Sequence, residues 1–247
     1  MIPVIIVSHK RANNVLTTKA IDKCILCVPE SQADDYRQNN PGVEILAHPD
    51  DIIGLSPKRQ WILEKMGDCF QVDDDVLFVK RVYVKDYKKH PLRLTPEEAY
   101  NLIQDEYEIV KQTKAKLFGF NRMANPLGYS GGEPVMMNKY ICGGGLGIIA
   151  DGNLFFPDFQ YFVGEDYWIN ALNAYYNRYS YIDARFAFEF QETEARAGGC
   201  SDYRTEERRK ETYFFLKQKF GDAIKLKKTT TMKKTINKWE KTLNIPY

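Results

Sequence analysis

The chain lacks the features that mark several common function classes. None of its apolar runs approaches the roughly 20 residues a membrane-spanning helix needs. Its 35 Lys and Arg residues against 33 Asp and Glu leave a net charge of only +2, so there is no global electrostatic footprint for nucleic acid. The opening Met1-Ile2-Pro3-Val4 has no basic n-region and no cleavage site, so no signal peptide is expected and the protein is expected in the cytoplasm. Its five cysteines are an odd number, and without an export signal they are expected as free thiols. Cys24 and Cys27 have CxxC spacing, but a second pair for zinc is missing. Residues three apart on a strand point to opposite faces, so both are expected as small buried hydrophobes. No GxxxxGK[ST] sequence is present, and Gly143-Gly144-Gly145-Leu146-Gly147 has neither the lysine of a P-loop nor the spacing of a dinucleotide fingerprint.

What is present suits a soluble globular domain. The 247 residues are 44% hydrophobic and 28% charged, enough for one substantial core. Short apolar runs alternate with helix-like segments through the first half. Residues 3–8, 24–28, 43–47 and 69–72 read as strands. Residues 12–20, 31–39 and a Ser56-capped segment with Pro57 at its first turn, running to about Lys65, read as helices. That alternation implies βαβ units and a mostly parallel sheet flanked by helices, an α/β fold. Thr95-Pro96-Glu97-Glu98 opens a helix expected to reach Lys114. Strand-like segments follow at 116–121, 141–149 and 179–190. Helices are expected at 164–176 and 206–220, and residues 123–138, rich in Gly, Pro and Asn, read as a long loop, either a lid or an idle surface segment. Residues 1–221 are expected to form the main domain. The remainder, 222–247, is a basic and helical extension with seven lysines against Asp222 and Glu240.

Asp73-Asp74-Asp75 is the most informative motif. Three carboxylates at the end of an apolar strand repel one another unless a cation sits among them. Alternation puts Asp73 and Asp75 on one side, a pairing that suits a divalent Mg²⁺ or Mn²⁺ shared with substrate phosphates. Without a P-loop, a diphosphate would rely on that metal and on cations. Lys58 and Arg59 before the acidic strand, and Ser8-His9-Lys10-Arg11 after the first strand, are placed to supply them, or are simply surface cations. Glu165-Asp166 starts a helix, where carboxylates either complement the helix dipole or do chemistry. Gly143, Gly144 and Gly145 would let backbone approach a donor closely or would form a tight turn. Arg204, Arg208, Lys227, Lys228, Lys233 and Lys234 are candidates for DNA phosphate contacts, or lie on a solvated face.

The ordered set of a βαβ start, a basic loop after strand one, Asp-x-Asp after strand four and a later Gly164-Glu165-Asp166 resembles the nucleotide-sugar glycosyltransferases of the GT-A class. Val7-Ser8-His9-Lys10-Arg11, Pro57 to Leu63 and Val72-Asp73-Asp74-Asp75-Val76 narrow the likeness to the phage and eukaryotic glycosyltransferases associated with TET-type dioxygenases. The resemblance implies a Rossmann-like GT-A fold and a metal-dependent transfer of a sugar to a hydroxymethylated pyrimidine in DNA, such as 5-hydroxymethylcytosine. UDP-glucose is the donor it suggests, and host cytoplasm is the implied location for a phage-encoded chain. It places the metal on Asp73 and Asp75, the donor on the basic loops and glycines, and the base at Asp166 with Glu165 binding or orienting the acceptor. The sequence departs from the class in having no histidine after the Glu-Asp helix, since the last is His90. Glu192, Glu194 or water would then complete the metal shell. Other acceptors (a glycan, a lipid or a small molecule) and a non-catalytic nucleotide-binding module are the competing expectations.

Overall fold

The computed structural model describes residues 1–86, 88–191, 198–227 and 238–244. Strand β1 (Val4–Val7) is apolar throughout because it is buried on both faces. Val4 and Ile6 enter one core, while Ile5 and Val7 enter the other. The segment after it forms two 3₁₀ turns, Ala12–Asn14 and Thr17–Lys19, where a single helix was expected. Its donors are used elsewhere: the Leu16 and Thr17 N–H groups donate to the Asp74 carbonyl, and the Thr17 hydroxyl donates to the Asp73 carbonyl at 2.6 Å. A continuous helical ladder would need those amides.

Strand β2 (Ile25–Pro29), helix α1 (Ala33–Asn39) and strand β3 (Glu44–His48) follow. Helix α2 (Leu55–Met66) then feeds strand β4 (Cys69–Asp73). Gly54, at φ +95, takes the N-cap position of α2 in place of Ser56. A Cβ there would stand 2.8 Å from the Tyr161 nitrogen, and the displaced Ser56 hydroxyl donates to the Pro157 carbonyl at 2.6 Å. Past the acidic triplet comes β5 (Val76–Arg81), a strand the sequence pattern had not suggested. Helix α3 (Pro96–Thr113) begins with the expected capping box between Thr95 and Glu98. Strand β6 (Leu117–Asn121) leads into the Gly/Pro-rich segment, which carries the short strand β7 (Val135–Met136). The remaining elements are β8 (Gly145–Ile148), α4 (Glu165–Tyr176), β9 (Tyr181–Phe190) and α5 (Glu206–Phe220). Strands β10 (Ile224–Leu226) and β11 (Lys241–Leu243) close the described chain.

The sheet order is β3-β2-β1-β4-β8-β6-β9-β5, with β7 also on β9. Strands β1 to β4, β6 and β9 run one way, and β5, β7 and β8 run the other. This is the mostly parallel, helix-flanked α/β sheet expected for a Rossmann-like GT-A fold. Alternate positions split between the two cores, so Cys24 packs in one and Cys27 in the other. Burial pushes both thiols up to about 12, and all five cysteines are free. The Gly-rich β8 fits under aromatic rings: a Cβ on Gly145 or Gly147 would lie 2.2 Å from Phe188 or 1.9 Å from Phe118.

The C-terminal extension differs from expectation. After a 3₁₀ turn over Gly221–Ala223 its described residues form two short strands rather than an α-helix, with Ile224 opposite Leu243 and Leu226 opposite Lys241 in an antiparallel pair. Ile224 is fully buried and joins Leu216 and Trp168 in a core cluster. Apolar burial holds the chain here, and a solvated basic helix would forgo it.

Candidate active site

The parallel strands β3-β2-β1-β4 present their carboxyl ends along one edge, and an open α/β sheet binds ligands there. A cleft of about 1010 Å³ occupies that edge. Its wall includes Ser8 to Arg11 after β1, His48 and Asp50 after β3, Lys58 of α2, Asp73 to Asp75 after β4, and Arg204, Arg208 and Arg209 around the start of α5.

The acidic triplet divides its labour by strand alternation. Gln71 and Asp73 lie on the β4 face that meets α2, where Arg59 is fully buried. Arg59 donates to Asp73 Oδ1 at 2.9 Å, to the Gly143 carbonyl at 2.6 Å and to Gln71 Oε1 at 3.4 Å. Asp73 keeps 39% of its side-chain exposure, and among the described residues its Oδ2 accepts no hydrogen bond. Enclosure by the cleft wall, with Asp75 and Asp74 adding negative charge, raises its carboxyl to about 7 against the pull of Arg59. Asp74 turns inward. It accepts from the Ser8 hydroxyl at 2.5 Å and from Arg11 Nη1 at 2.9 Å. Asp75 is buried, with its carbonyl accepting from the Gln191 amide.

The side chains expected at the donor fall into two groups. Ser8, Arg11, Lys58 and Arg59 are engaged within the protein. Besides its bonds to Asp74, Ser8 pairs with the Tyr36 hydroxyl at 2.6 Å. Arg11 also donates to the Gly198 carbonyl, and Lys58 Nζ donates to the Ser8 carbonyl at 2.8 Å. Burial lowers Lys58 to about 8. Burial, reinforced by Lys58 and Lys10, lowers His9 to about 4, so its imidazole is neutral at pH 7. Lys10 is exposed and 3.7 Å from Asp202.

Glu165 and Asp166, at the first turn of α4, stand next to Gly143. A Cβ on that glycine would be 3.2 Å from Glu165 Oε1 and 3.0 Å from Asp166 Cβ, so a bare backbone lets the helix start approach Arg59's acceptor. Burial and the neighbouring Asp166 raise Glu165 to about 7, opposed by Arg59 and Arg204. Asp166 accepts a short bond from the Tyr140 hydroxyl and another from the Tyr167 amide. Burial and Asp166 hold the Tyr140 hydroxyl well above its usual range. Lys241 of β11 lies against the same turn, with its Nζ 3.2 Å from the Val163 carbonyl and 4.9 Å from the Tyr167 ring. Gly144 and Gly145 face the rings of Phe190 and Phe188, while the Gly144 carbonyl accepts from the Asp73 amide.

Arg204 and Arg208, expected on a DNA-facing surface, line the same cleft as the triplet. Arg208 pairs with Glu211 at 2.7 Å and sits 5.5 Å from the Tyr161 ring. Lys227 pairs with Glu240 at 2.6 Å. Lys228, Lys233 and Lys234, and the extra metal-ligand candidates Glu192 and Glu194, lie outside the described residues. Sequence reasoning missed Tyr140 and Lys241, which reach α4 from 26 and 74 or more residues away. No local pattern marks either one.

The sequence model of the TET-associated glycosyltransferases matches residues 2–138, more than half of the 247-residue chain. The match takes in the β1 loop, the start of α2 and the acidic triplet, and stops before Gly143 and Glu165-Asp166. Comparison with curated proteins gives no match. The strands that build the cleft floor are therefore the part of the chain that carries the likeness, and the chain belongs to the TET-associated glycosyltransferase family and is a glycosyltransferase.

Proposed function

We propose that the protein moves a sugar, with UDP-glucose as the first donor to test, onto the hydroxymethyl group of a modified pyrimidine in DNA. The carrying observation is the half-exposed Asp73, one of whose carboxylate oxygens accepts no hydrogen bond among the described residues, set at the carboxyl edge of the sheet inside the region the family model covers. Family membership supports a nucleotide-sugar donor. A cleft lined by cations and carboxylates suits a diphosphate bridged by a metal.

The residues fit a hard divalent ion. A carboxylate whose charge is disfavoured by its acidic neighbours gains from a cation. Asp73 and Asp75 would hold Mn²⁺ or Mg²⁺, which supplies charge neutralisation for the departing diphosphate. Among the described residues no set of three His, Cys, Asp or Glu side chains is grouped to hold a metal, so substrate phosphates and water would provide the other ligands, as hard-cation sites commonly arrange.

Asp166 is assigned as the base that takes the acceptor proton, with Glu165 orienting the acceptor. The elevated Glu165 carboxyl makes Glu165 the second candidate, since a base works best with a pKa near the working pH. The acceptor hydroxymethyl group projects into the major groove, or the base is flipped out to reach the carboxylates. Support for a DNA partner comes from the lysine-rich extension folded against α4 and α5, where Lys210 and Lys238 lie 5.7 and 5.8 Å from the Trp239 ring. Among the described residues no helix is long and apolar enough to cross a membrane.

The test is thermal stability with a panel of nucleotide-sugars, with and without Mn²⁺, followed by mass spectrometry of hydroxymethylated and unmodified oligonucleotides. A ligand that binds only the folded state raises its stability. Metal-dependent stabilisation by one nucleotide-sugar and a hexose mass added to the modified oligonucleotide alone is the expected result. Transfer to a glycan or lipid but not to DNA would replace the acceptor. Asp166→Asn should keep donor binding and lose transfer. If Glu165→Gln does so instead, the base is Glu165.

A further inference from the structure

We propose that Arg204 is a catalytic residue that receives the charge of the departing diphosphate; this rests on the nucleotide-sugar reading above. Most of the cleft's other basic side chains are committed, with Arg209 the exception among the described residues. Arg11 is held by Asp74, Lys58 by the Ser8 carbonyl, Arg208 by Glu211 and Lys10 by Asp202. Arg204 lines the cleft, and among the described residues its guanidinium makes no hydrogen bond or ion pair. Its charge nevertheless acts on Asp73, Glu165 and Asp166. An arginine that shares the cleft wall with Asp73 to Asp75 without closing on any of them leaves room for an anion and its metal between the two signs.

The main chain at this position is fixed from both sides. The Arg204 amide donates to the Cys200 carbonyl at 3.1 Å, and Gly199 donates to the His9 carbonyl at 3.1 Å. The Tyr203 hydroxyl accepts from the Leu55 amide at 3.3 Å, and its ring packs 5.2 Å from Tyr161. Thr205 caps α5 immediately after. A guanidinium with no partner among the described residues, carried on a fixed backbone, is a preorganised donor, the arrangement that stabilises charge as it develops. Its planar fork matches two phosphate oxygens.

The step balances without a further reactant. The bond between the sugar's anomeric carbon and the diphosphate oxygen breaks, and its electron pair stays on that oxygen. The hydroxymethyl oxygen bonds to the anomeric carbon, and its proton passes to the carboxylate at Glu165 or Asp166. One unit of negative charge thus appears on the phosphate side, where Arg204 stands, as the acceptor proton leaves on the α4 side.

The experiment uses the full chain in Mn²⁺ and compares UDP, GDP, TDP and ADP, each with its own nucleoside, on wild type, Arg204→Gln and Arg204→Lys. Wild type should bind one diphosphate more tightly than its nucleoside. Arg204→Gln should lose that preference, leave nucleoside affinity unchanged, and lower kcat by about 10²–10³-fold with the KM for DNA unchanged. Arg204→Lys should recover part of both losses. Wild-type diphosphate affinity in Arg204→Gln overturns the proposal, and so does an equal loss for diphosphate and nucleoside, which marks a structural role. A raised KM for DNA with kcat unchanged assigns Arg204 to an acceptor phosphate instead. Wild type that binds none of the four diphosphates overturns the donor reading, and with it this one.

Discussion

Two halves of the molecule differ in how they partner their carboxylates. In the half proposed to hold the donor, built from β1 to β4, carboxylates are matched to arginines. Arg11 meets Asp74 at 2.9 Å and Arg59 meets Asp73 at 2.9 Å. In the other half, acids stand beside acids. Glu165 neighbours Asp166, and on the far side of the sheet Glu106 faces Asp183, with Arg185 bonding mainly to Asp183. A matched carboxylate has its geometry fixed, although at Asp73 enclosure and the neighbouring acids still raise the carboxyl to about 7. A carboxylate set against another in a dry site holds on to a proton. The donor half is thus built to hold a shape, and the second half contains groups able to take up and release protons.

Substitution within the acidic triplet gives the largest effect and separates shape from chemistry. Asp74→Ala strips Ser8 and Arg11 of their buried partner. Breaking a buried ion pair from one side costs about 3–5 kcal/mol, read as a fall in the urea midpoint. Asp73→Asn keeps an acceptor for Arg59 and should change stability by less than about 1 kcal/mol while abolishing Mn²⁺-dependent donor stabilisation. If Asp74→Ala folds as well as wild type, the matching of charges in the donor half is decorative.

Glu106→Gln tests the opposite half. Burial and Asp183 raise the Glu106 carboxyl from 4.5 to about 8. Between those values the folded protein binds a proton that the unfolded chain releases, so this group makes stability fall as pH rises through the window and adds no slope above it. Glutamine stays neutral. Wild type should therefore lose on the order of 4 kcal/mol more than Glu106→Gln between pH 5 and pH 9, measured by denaturation across that range. Parallel curves would show that Glu106 is ionised throughout and that the two halves do not differ here.

The donor half was the more legible of the two in the sequence, for the same physical reason. Its strands are buried on both faces and read as apolar runs, its helices alternate with them, and its key acids are adjacent in the chain. The second half depends on contacts that no local pattern encodes. Strand β5 escaped notice because it follows the triplet with almost no turn residues and finds its partner β9 more than a hundred positions later. Helix α5 was placed correctly, since Thr205 and its two following acids mark a start. Its role in the cleft wall was not legible, because a charged helix face looks the same whether it meets solvent or substrate. Tyr140 on Asp166 and Lys241 on Tyr167 belong to this second class.

Two glycines place the boundary between the halves more finely. Gly147→Ala drives a methyl group into the Phe118 ring, with an initial approach of 1.9 Å. Overpacking of this kind costs about 1–3 kcal/mol, and the loss should fall on stability with kcat unchanged for the remaining folded enzyme. Gly143→Ala meets Glu165 Oε1 at 3.2 Å and Asp166 Cβ at 3.0 Å. A shift of a few tenths of an ångström relieves that approach at little cost in stability, but it moves the carboxylates, so activity should fall several-fold while the denaturation midpoint holds. Equal effects from both substitutions would mean that Gly143 serves packing alone.

The smallest effect comes from a pair of helix caps. Thr205 Oγ1 accepts from the Arg208 amide at 3.2 Å, and Thr95 Oγ1 accepts from the Glu98 amide at 3.2 Å. Replacing either threonine by alanine removes one N-cap bond, worth about 1 kcal/mol. The two losses of stability should be similar, with Thr95→Ala softened because the Glu98 side chain still accepts from the residue-95 amide. Their effects on activity should diverge. Helix α3 starts away from the cleft, so Thr95→Ala should leave kcat/KM unchanged. The first turn of α5 carries Arg208 and Arg209 into the cleft wall, directly after Arg204, and fraying there loosens the backbone that aims all three. Thr205→Ala should lower kcat/KM a few-fold through kcat, with the KM for the acceptor unmoved. A rise in the KM for the acceptor instead would place this helix start on the acceptor side of the reaction and shift the boundary between the two halves to the far side of the cleft.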